Sequence, residues 1–440
     1  MNWQQLLSSQ RPSQKRNFHE LSRSAFEQDY DRIIFSHPFR RLQDKTQVHP
    51  LPQDDFVHTR LTHSLEVSSV GRSLGKKVGE IILNKNPDLS KHTSLFDFGA
   101  IVAAGSLAHD LGNPPFGHSG EDAISDFFIH HPFGKSLQAK VTEAQWADLI
   151  NFEGNAQGFR ILNKKEYGFK LTHATLGAFT KYPCPALFNG RDKSKKSQKK
   201  YGFFATEATL FKEVADQIGL VNKDKFVWSR HPLAFLVEAA DDICYSIIDL
   251  EDGCRLGLLT FDEVIELFSP ILKDKLDKKK LSYKSGLNEK LGILRAMVIG
   301  ELIEATTIVF IENEENILDG TFDEALTDQC EHKGALKTIN KISVEKIYRA
   351  RHVVEIEAAG FEILPGLLEE FGKASDALLK KNLEKKYINL SKLFPIETTQ
   401  AILAKPDNIY LQFREVVDFV SSLTDKHALS LYRKIKGFEI

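Results

Sequence analysis

Residues 98–111 read FGAIVAAGSLAHDL, apolar on nearly every face. A helix without a polar stripe is ordinarily buried in the middle of a bundle, so this stretch requires other helices around it. It ends in the adjacent pair His109-Asp110, and Gly112, Asn113, Pro114 and Pro115 stop it. An imidazole and a carboxylate are thus carried to the exit of a buried element, where each is costly unless partnered. A divalent cation partners both.

The surrounding sequence supplies the helices. From Thr62 to about Leu83, Leu65, Val67, Val70, Leu74, Val78, Ile81 and Ile82 keep spacings of roughly three to four. Ser119, three residues before Asp122, is placed to cap a helix beyond the double proline. Long runs of good helix formers occupy 232–251, 290–312, 343–371 and 408–434, and the only credible extended pieces lie near 47–57 and 200–206. The expected fold is all-α with minor short strands. We divide it into a basic N-terminal segment (1–30, with Arg11, Lys15, Arg16 and Arg23) read as a frayed terminus, a catalytic core (31–260) and a helical C-terminal region packed on that core (261–440). Residues 190–201, GRDKSKKSQKKY, read as a basic, low-complexity loop.

Composition narrows the partners. Hydrophobic residues make up 42% and charged residues 27% of the 440, an ordinary globular balance. The formal net charge of −2 provides no overall field toward nucleic acid or an anionic membrane. The four cysteines, Cys184, Cys244, Cys254 and Cys330, form no C-x-x-C pair and read as reduced thiols of a cytoplasmic protein. The sequence contains no run of 18 apolar residues and its first residues lack the apolar core of a signal peptide, so no membrane association is expected.

Three pieces carry chemistry: Thr-His-Ser-Leu-Glu at 62–66, His109-Asp110, and Glu-Ala-Ala-Asp-Asp at 238–242. Each alone has an ordinary structural explanation; three in order, each on an apolar helix, argue for one site. His63, His109, Asp110 and a carboxylate from the third piece make a mixed nitrogen and oxygen ligand set. It suits Mn²⁺ or Mg²⁺ first, with Fe²⁺ or Co²⁺ as alternatives, and leaves octahedral positions open for water and phosphate. Between Asp241 and Asp242 the chemistry is neutral. Asp241 is preferred because Tyr245 and Asp249 follow at i+4 and i+8 on one helical face. His118 and Glu121 lie just beyond the double proline, an imidazole with a carboxylate near enough in sequence to orient it. Arg60 precedes His63 by three residues and projects from the same segment.

The order H…HD…D is similar to the signature of the HD superfamily of metal phosphohydrolases. DRIIFSHPFRRLQDKTQV, RLTHSLEV, AHDLGNPPFGHSGE, FEGNAQ, KYP and EAADDICYSIIDLED, together spanning 31–251, resemble the deoxyguanosine triphosphate triphosphohydrolase family. Weaker similarity continues in VVEIEAAGFEIL (353–364) and DFVSSLTDKHAL (418–429). The resemblance implies hydrolysis of deoxynucleoside triphosphates (dNTPs) to deoxynucleoside and triphosphate. It implies metal ligands His63, His109, Asp110 and Asp241, and catalysis at the α-phosphate by His118 with Glu121. Lys181 and Tyr182 match phosphate-touching positions, Gln47 a position near the sugar, and Asn155 a motif residue of the substrate site. Tyr245 is expected to crowd a 2′-hydroxyl and Asp249 to accept from the 3′-hydroxyl. The family also implies a homo-oligomer, a hexamer first, and leaves room for a nucleotide or single-stranded DNA effector. Two rival readings remain: another HD phosphohydrolase, acting as nucleotidase or phosphodiesterase, and a nucleic-acid-binding regulator with a vestigial site, which the basic loop favours.

Overall fold

The computed structural model describes residues 1–12, 22–48, 58–277 and 286–438. Thr59 opens helix α1 (Arg60–Lys85) with a reciprocal cap: its hydroxyl accepts from the Thr62 N–H, and its own N–H donates to the Thr62 hydroxyl. Ser94 and Asp97 do the same for α2 (Leu95–Ala108), whose side chains are buried from Phe98 onward except for a partly buried Ala100. The two helices run antiparallel at very short range. A Cβ on Gly75 would lie 2.7 Å from the Phe98 carbonyl oxygen, and one on Gly71 would lie 2.5 Å from Ser106 Oγ. Only glycine permits that approach, and it sets the first turn of α1 beside the exit of α2, where His63 and His109 meet.

After α2 the chain turns through Asn113-Pro114-Pro115 into α3 (Gly117–His130). The helix begins two residues before Ser119, so the expected Ser119 cap is not used; Phe116 precedes the helix with no side-chain cap. Further on come α4 (Gly154–Asn163), α5 (Pro232–Arg255), α6 (Leu287–Glu312) and α7 (Lys333–Ser343). Pro232 at the first position of α5 and the His231 ring accepting from the Leu233 N–H start that helix. A five-residue π-turn, Val344–Tyr348, leads into α8 (Arg351–Leu378), followed by α9 (Ile409–Ser421) and α10 (Asp425–Lys436). The run 408–434 is therefore two helices: the first ends at Ser421, and Thr424 caps the next by accepting from the His427 N–H.

The fold is all-α, with one short hairpin among the described residues, β1 (Asn222–Asp224) against β2 (Val227–Trp228). Residues 200–206, expected to be extended, form no strand; Tyr201, Phe203 and Phe204 are buried by tertiary packing instead. The expected strand at 47–57 lies mostly outside the described residues; the flanking Thr46 and Thr59 form an isolated bridge. The N-terminus is docked rather than frayed. Trp3 and Leu6 are buried, the terminal amine donates to the Leu318 carbonyl at 2.6 Å, and Arg11 pairs with buried Asp29; Lys15 and Arg16 lie outside the described residues. One core joins this N-terminus to α1, α2, α5, α6 and α7, and a second joins α3 to α8, α9 and α10. The packing thus does not part at residue 260: Leu291 to Ile347 belong with the helices that carry His63 and His109. All four cysteines are buried free thiols. No helix among the described residues is long and apolar enough to cross a membrane.

Candidate active site

Four side chains converge where α1, α2 and α5 meet. His63 Nε2 stands 3.1 Å from Asp241 Oδ1, and His109 Nε2 stands 3.5 Å from the same oxygen and 3.5 Å from Asp110 Oδ1. The ligand atoms of His63, His109 and Asp110 lie within 4.8 Å of one another. Metal–ligand bonds of about 2.1 Å place neighbouring octahedral ligands about 3 Å apart, so these separations suit a divalent ion. The outer contacts hold the donors in that orientation. The His109 Nδ1–H donates to the Ser106 carbonyl at 2.6 Å; a carbonyl only accepts, so in the neutral ring Nε2 carries the lone pair. Asp110 accepts from Arg60 Nη1 at 2.7 Å and from Asn113 Nδ2 at 2.5 Å. Asp242 points away and accepts from the Thr327 hydroxyl, so it is Asp241 that faces the imidazoles.

The electrostatics ask for a cation. Burial opposes a charged imidazole at His109, but the carboxylates of Asp110 and Asp241 outweigh it and lift the ring to about 9. Burial likewise opposes the charge on Asp241, yet His109 and His63 hold it well below the ordinary carboxylate value. Two carboxylates facing two imidazoles therefore form a cluster that favours positive charge. The donor set fits a hard or borderline divalent ion.

The expected contact between Glu121 and His118 is not formed. Glu121 Oε1 accepts the Gly154 N–H at 2.6 Å, at the start of α4, and Oε2 faces Lys200 Nζ at 3.4 Å. A backbone donor and an ammonium claim the carboxylate first. His118 is exposed at the mouth of the site. Its imidazolium is disfavoured by partial desolvation, then by the charges of Lys200 and Arg60, so it titrates below the ordinary histidine value. Lys200 also pairs with Glu153 at 3.3 Å, and Glu153 in turn accepts from Asn155 Nδ2 at 2.7 Å. Asn155 therefore braces Glu153. Sequence reasoning missed Lys200, because a lysine in a run of lysines bears no mark of being folded inward; the aromatic residues Tyr201, Phe203 and Phe204 that anchor it were the available signal.

Lys181 Nζ faces Glu238 Oε1 at 3.2 Å and lies over the buried Tyr182 ring at 5.7 Å. Arg230 holds the other Glu238 oxygen at 2.6 Å. Arg60 is buried, gives Nη1 to Asp110 and has Nη2 near Gly117; its Nε has no hydrogen-bond partner. Further along α5, the Tyr245 ring packs against Tyr348, with centroids 5.4 Å apart and planes tilted by 32°, and the Tyr348 hydroxyl donates to Asp249 at 2.6 Å. Burial pushes the Asp249 carboxyl up to about 8, partly offset by that hydrogen bond. Tyr348 comes from the π-turn, a feature often found at functional sites. No local pattern marked it, since its partner is 99 residues away. Gln47 Oε1 is buried without a hydrogen-bond partner.

Comparison with known proteins agrees with this geometry. The HD domain family matches residues 60–154, and the phosphohydrolase-associated domain family matches 329–434. A deoxyguanosinetriphosphate triphosphohydrolase-like protein of Synechocystis sp. is 41% identical over 452 residues, covering 100% of both chains. Proteins of the same description from Pseudomonas aeruginosa and Listeria monocytogenes are 39% and 34% identical, each covering 99% of this chain. This chain belongs to the deoxyguanosinetriphosphate triphosphohydrolase-like family of the HD superfamily. Membership makes it an HD-domain phosphohydrolase by family and implies a divalent metal. The HD match holds His63, His109, Asp110, His118 and Glu121. The associated domain contributes Tyr348 and the helices that back α3.

Proposed function

We propose that the protein hydrolyses dNTPs to deoxynucleoside and inorganic triphosphate. The observation that carries this reading is the line along α5: Asp241 beside the two imidazoles, then Tyr245, then Asp249, one and two turns on. Phosphates bound near Asp241 put the sugar against Tyr245. His63, His109, Asp110 and Asp241 would hold a divalent ion, Mn²⁺ or Mg²⁺ foremost, which would supply polarisation of the α-phosphate and an acidified water. Lys181 and Lys200, both near Tyr182, stabilise the charge that develops on the phosphate chain. As water oxygen bonds to the α-phosphorus and the bond to the 5′-oxygen breaks, that oxygen needs a proton. His118 is placed at the mouth to deliver it, and its lowered pKa makes its imidazolium a stronger acid.

The test is to incubate purified protein with Mn²⁺ or Mg²⁺ and each of the four dNTPs, singly and in pairs, and to identify the products. Triphosphate and deoxynucleoside in equal amounts are expected. Orthophosphate released stepwise would instead indicate an HD nucleotidase, and no release from any dNTP would favour the regulator with a vestigial site.

The same line predicts sugar selectivity. Tyr245, held by its contact with Tyr348, leaves no room for a 2′-hydroxyl. Selection for dGTP over GTP, read as kcat/KM, is expected to fall by on the order of 10²-fold in Tyr245→Ala. Unchanged selectivity would put the gate on another residue.

A further inference from the structure

Two of the motifs that resemble the family have no part in the chemistry above: Lys45-Thr46 within FRRLQDKTQV, and Asp425 within DFVSSLTDKHAL. In the fold they meet on the loop that runs from Asp110 to His118. Lys45 is only 4% exposed, and its ammonium donates to the Asn113 carbonyl at 2.5 Å and to the Ser421 carbonyl, at the end of α9, at 2.9 Å. The side chain of the same Asn113 donates to Asp110 Oδ1. Asp425, the first residue of α10, is 1% exposed. Its Oδ1 accepts the Phe116 N–H at 3.1 Å; its Oδ2 accepts the Thr46 N–H at 3.0 Å and the Thr46 hydroxyl.

The residue so held is strained. Phe116 has φ of +64° and Gly117 has φ of +61°, two left-handed residues in succession, the first of them bulky. Such a conformation persists only where its surroundings over-determine it. Here Asp425 holds the amide, while the ring lies against Gly360 of α8, where an added Cβ would come within 3.2 Å of Phe116. His118 follows directly.

We propose that Lys45 and Asp425 are positioning residues that clamp the catalytic loop at two points, Lys45 through Asn113 for the ligand Asp110 and Asp425 through Phe116 for His118. The two arms do different work. The Lys45 arm supports a metal ligand, so its loss weakens metal binding. The Asp425 arm sets the backbone ahead of His118, so its loss lowers turnover and leaves the metal in place. The turnover half rests on the proposed dNTP hydrolysis; the metal half does not.

The experiment compares Lys45→Met, Asp425→Asn and Thr46→Val in the full chain. Mn²⁺ affinity is read by calorimetry, kcat on dGTP at saturating Mn²⁺, and thermal stability for each. Asparagine turns an amide N–H toward one of the donors that Asp425 accepts, and valine removes only the Thr46 hydroxyl. Lys45→Met is expected to weaken Mn²⁺ binding by about 10-fold, the lower end of the effect of losing a direct partner of a ligand, because Lys45 acts on Asp110 through Asn113. Asp425→Asn is expected to lower kcat by on the order of 10²-fold, as a misplacement of about 1 Å does, with Mn²⁺ affinity unchanged. Thr46→Val repeats that pattern at smaller size and decides the matter if Asp425→Asn does not fold. Wild-type kcat in folded Thr46→Val and Asp425→Asn overturns the Asp425 arm, and wild-type Mn²⁺ affinity in Lys45→Met overturns the Lys45 arm. Parallel loss of both quantities in step with thermal stability overturns the clamp altogether. If the wild-type protein hydrolyses no dNTP, the proposed function fails, and Mn²⁺ binding by Lys45→Met alone decides the Lys45 arm.

Discussion

Asp110→Asn is expected to abolish stoichiometric Mn²⁺ binding and all hydrolysis in a protein that remains folded. Asp110 occupies the turn after a helix that is buried on nearly all sides, and its two oxygens take Arg60 and Asn113 while one faces His109. Removing its charge takes away one of two carboxylates in the donor set, a larger loss than that of an outer partner, so affinity should drop by more than ~10²-fold. The choice of asparagine matters. Arg60 is buried, and alanine would leave its guanidinium without a counter-group, at about 3–5 kcal/mol. Asparagine keeps a carbonyl oxygen for Arg60 and nearly the same volume, so lost metal cannot be blamed on lost fold. Calorimetric titration with Mn²⁺ checks the outcome alongside circular dichroism. A folded Asp110→Asn protein that binds one Mn²⁺ per chain with wild-type affinity would remove Asp110 from the ligand set.

Much of this site was legible in the chain because it is written on buried helices. The all-apolar run 98–111 announced a central helix, and its terminal His109-Asp110 announced a cost that something must meet. Helical period puts Tyr245 and Asp249 on one face with Asp241, the family resemblance gives them the sugar, and the structure turns Asp242 the other way. What could not be read depended on competition between distant partners. Glu121 is three residues from His118, yet it goes to the Gly154 N–H, because a buried carboxylate takes the backbone donor that is offered to it. Lys200 sits in a run of lysines, and only the burial of the following aromatic residues brings it inward. Tyr348 reaches Asp249 through a π-turn that no periodicity announces. The aromatic content of 200–206 suggested a strand, since β-propensity measures fit to a half-buried surface as much as backbone preference. The polar N-terminus suggested fraying, but Trp3 and Leu6 outweigh its charges by docking into the main core.

His118→Ala is expected to lower kcat by ~10²–10⁴-fold, the usual contribution of a general acid or base, while Mn²⁺ affinity stays at the wild-type value. The ring is exposed and makes no contact with the four proposed ligands among the described hydrogen bonds and ion pairs, so its removal leaves the metal centre intact. Its titration gives a second reading of the same role. Desolvation, then Lys200 and Arg60, depress its pKa, so the histidine limb of the pH profile should lie below the ordinary value near 6.5. Removing the Lys200 charge removes one of the positive charges that disfavour the imidazolium. In Lys200→Met the limb should therefore move to higher pH, toward the ordinary histidine value, in addition to any loss from weaker phosphate binding. Glu121→Gln keeps an oxygen for the Gly154 N–H and does not touch His118, so it should spare the fold of α4 and leave the histidine limb nearer its wild-type place than Lys200→Met does. Profiles of kcat/KM from pH 5 to 9 for wild type, His118→Ala, Lys200→Met and Glu121→Gln distinguish these outcomes. A general acid must be protonated, so activity should fall as pH rises through the His118 pKa; survival of that falling limb in His118→Ala would assign the proton to another group, and a limb that ignores Lys200 would mean that His118 does not titrate in catalysis.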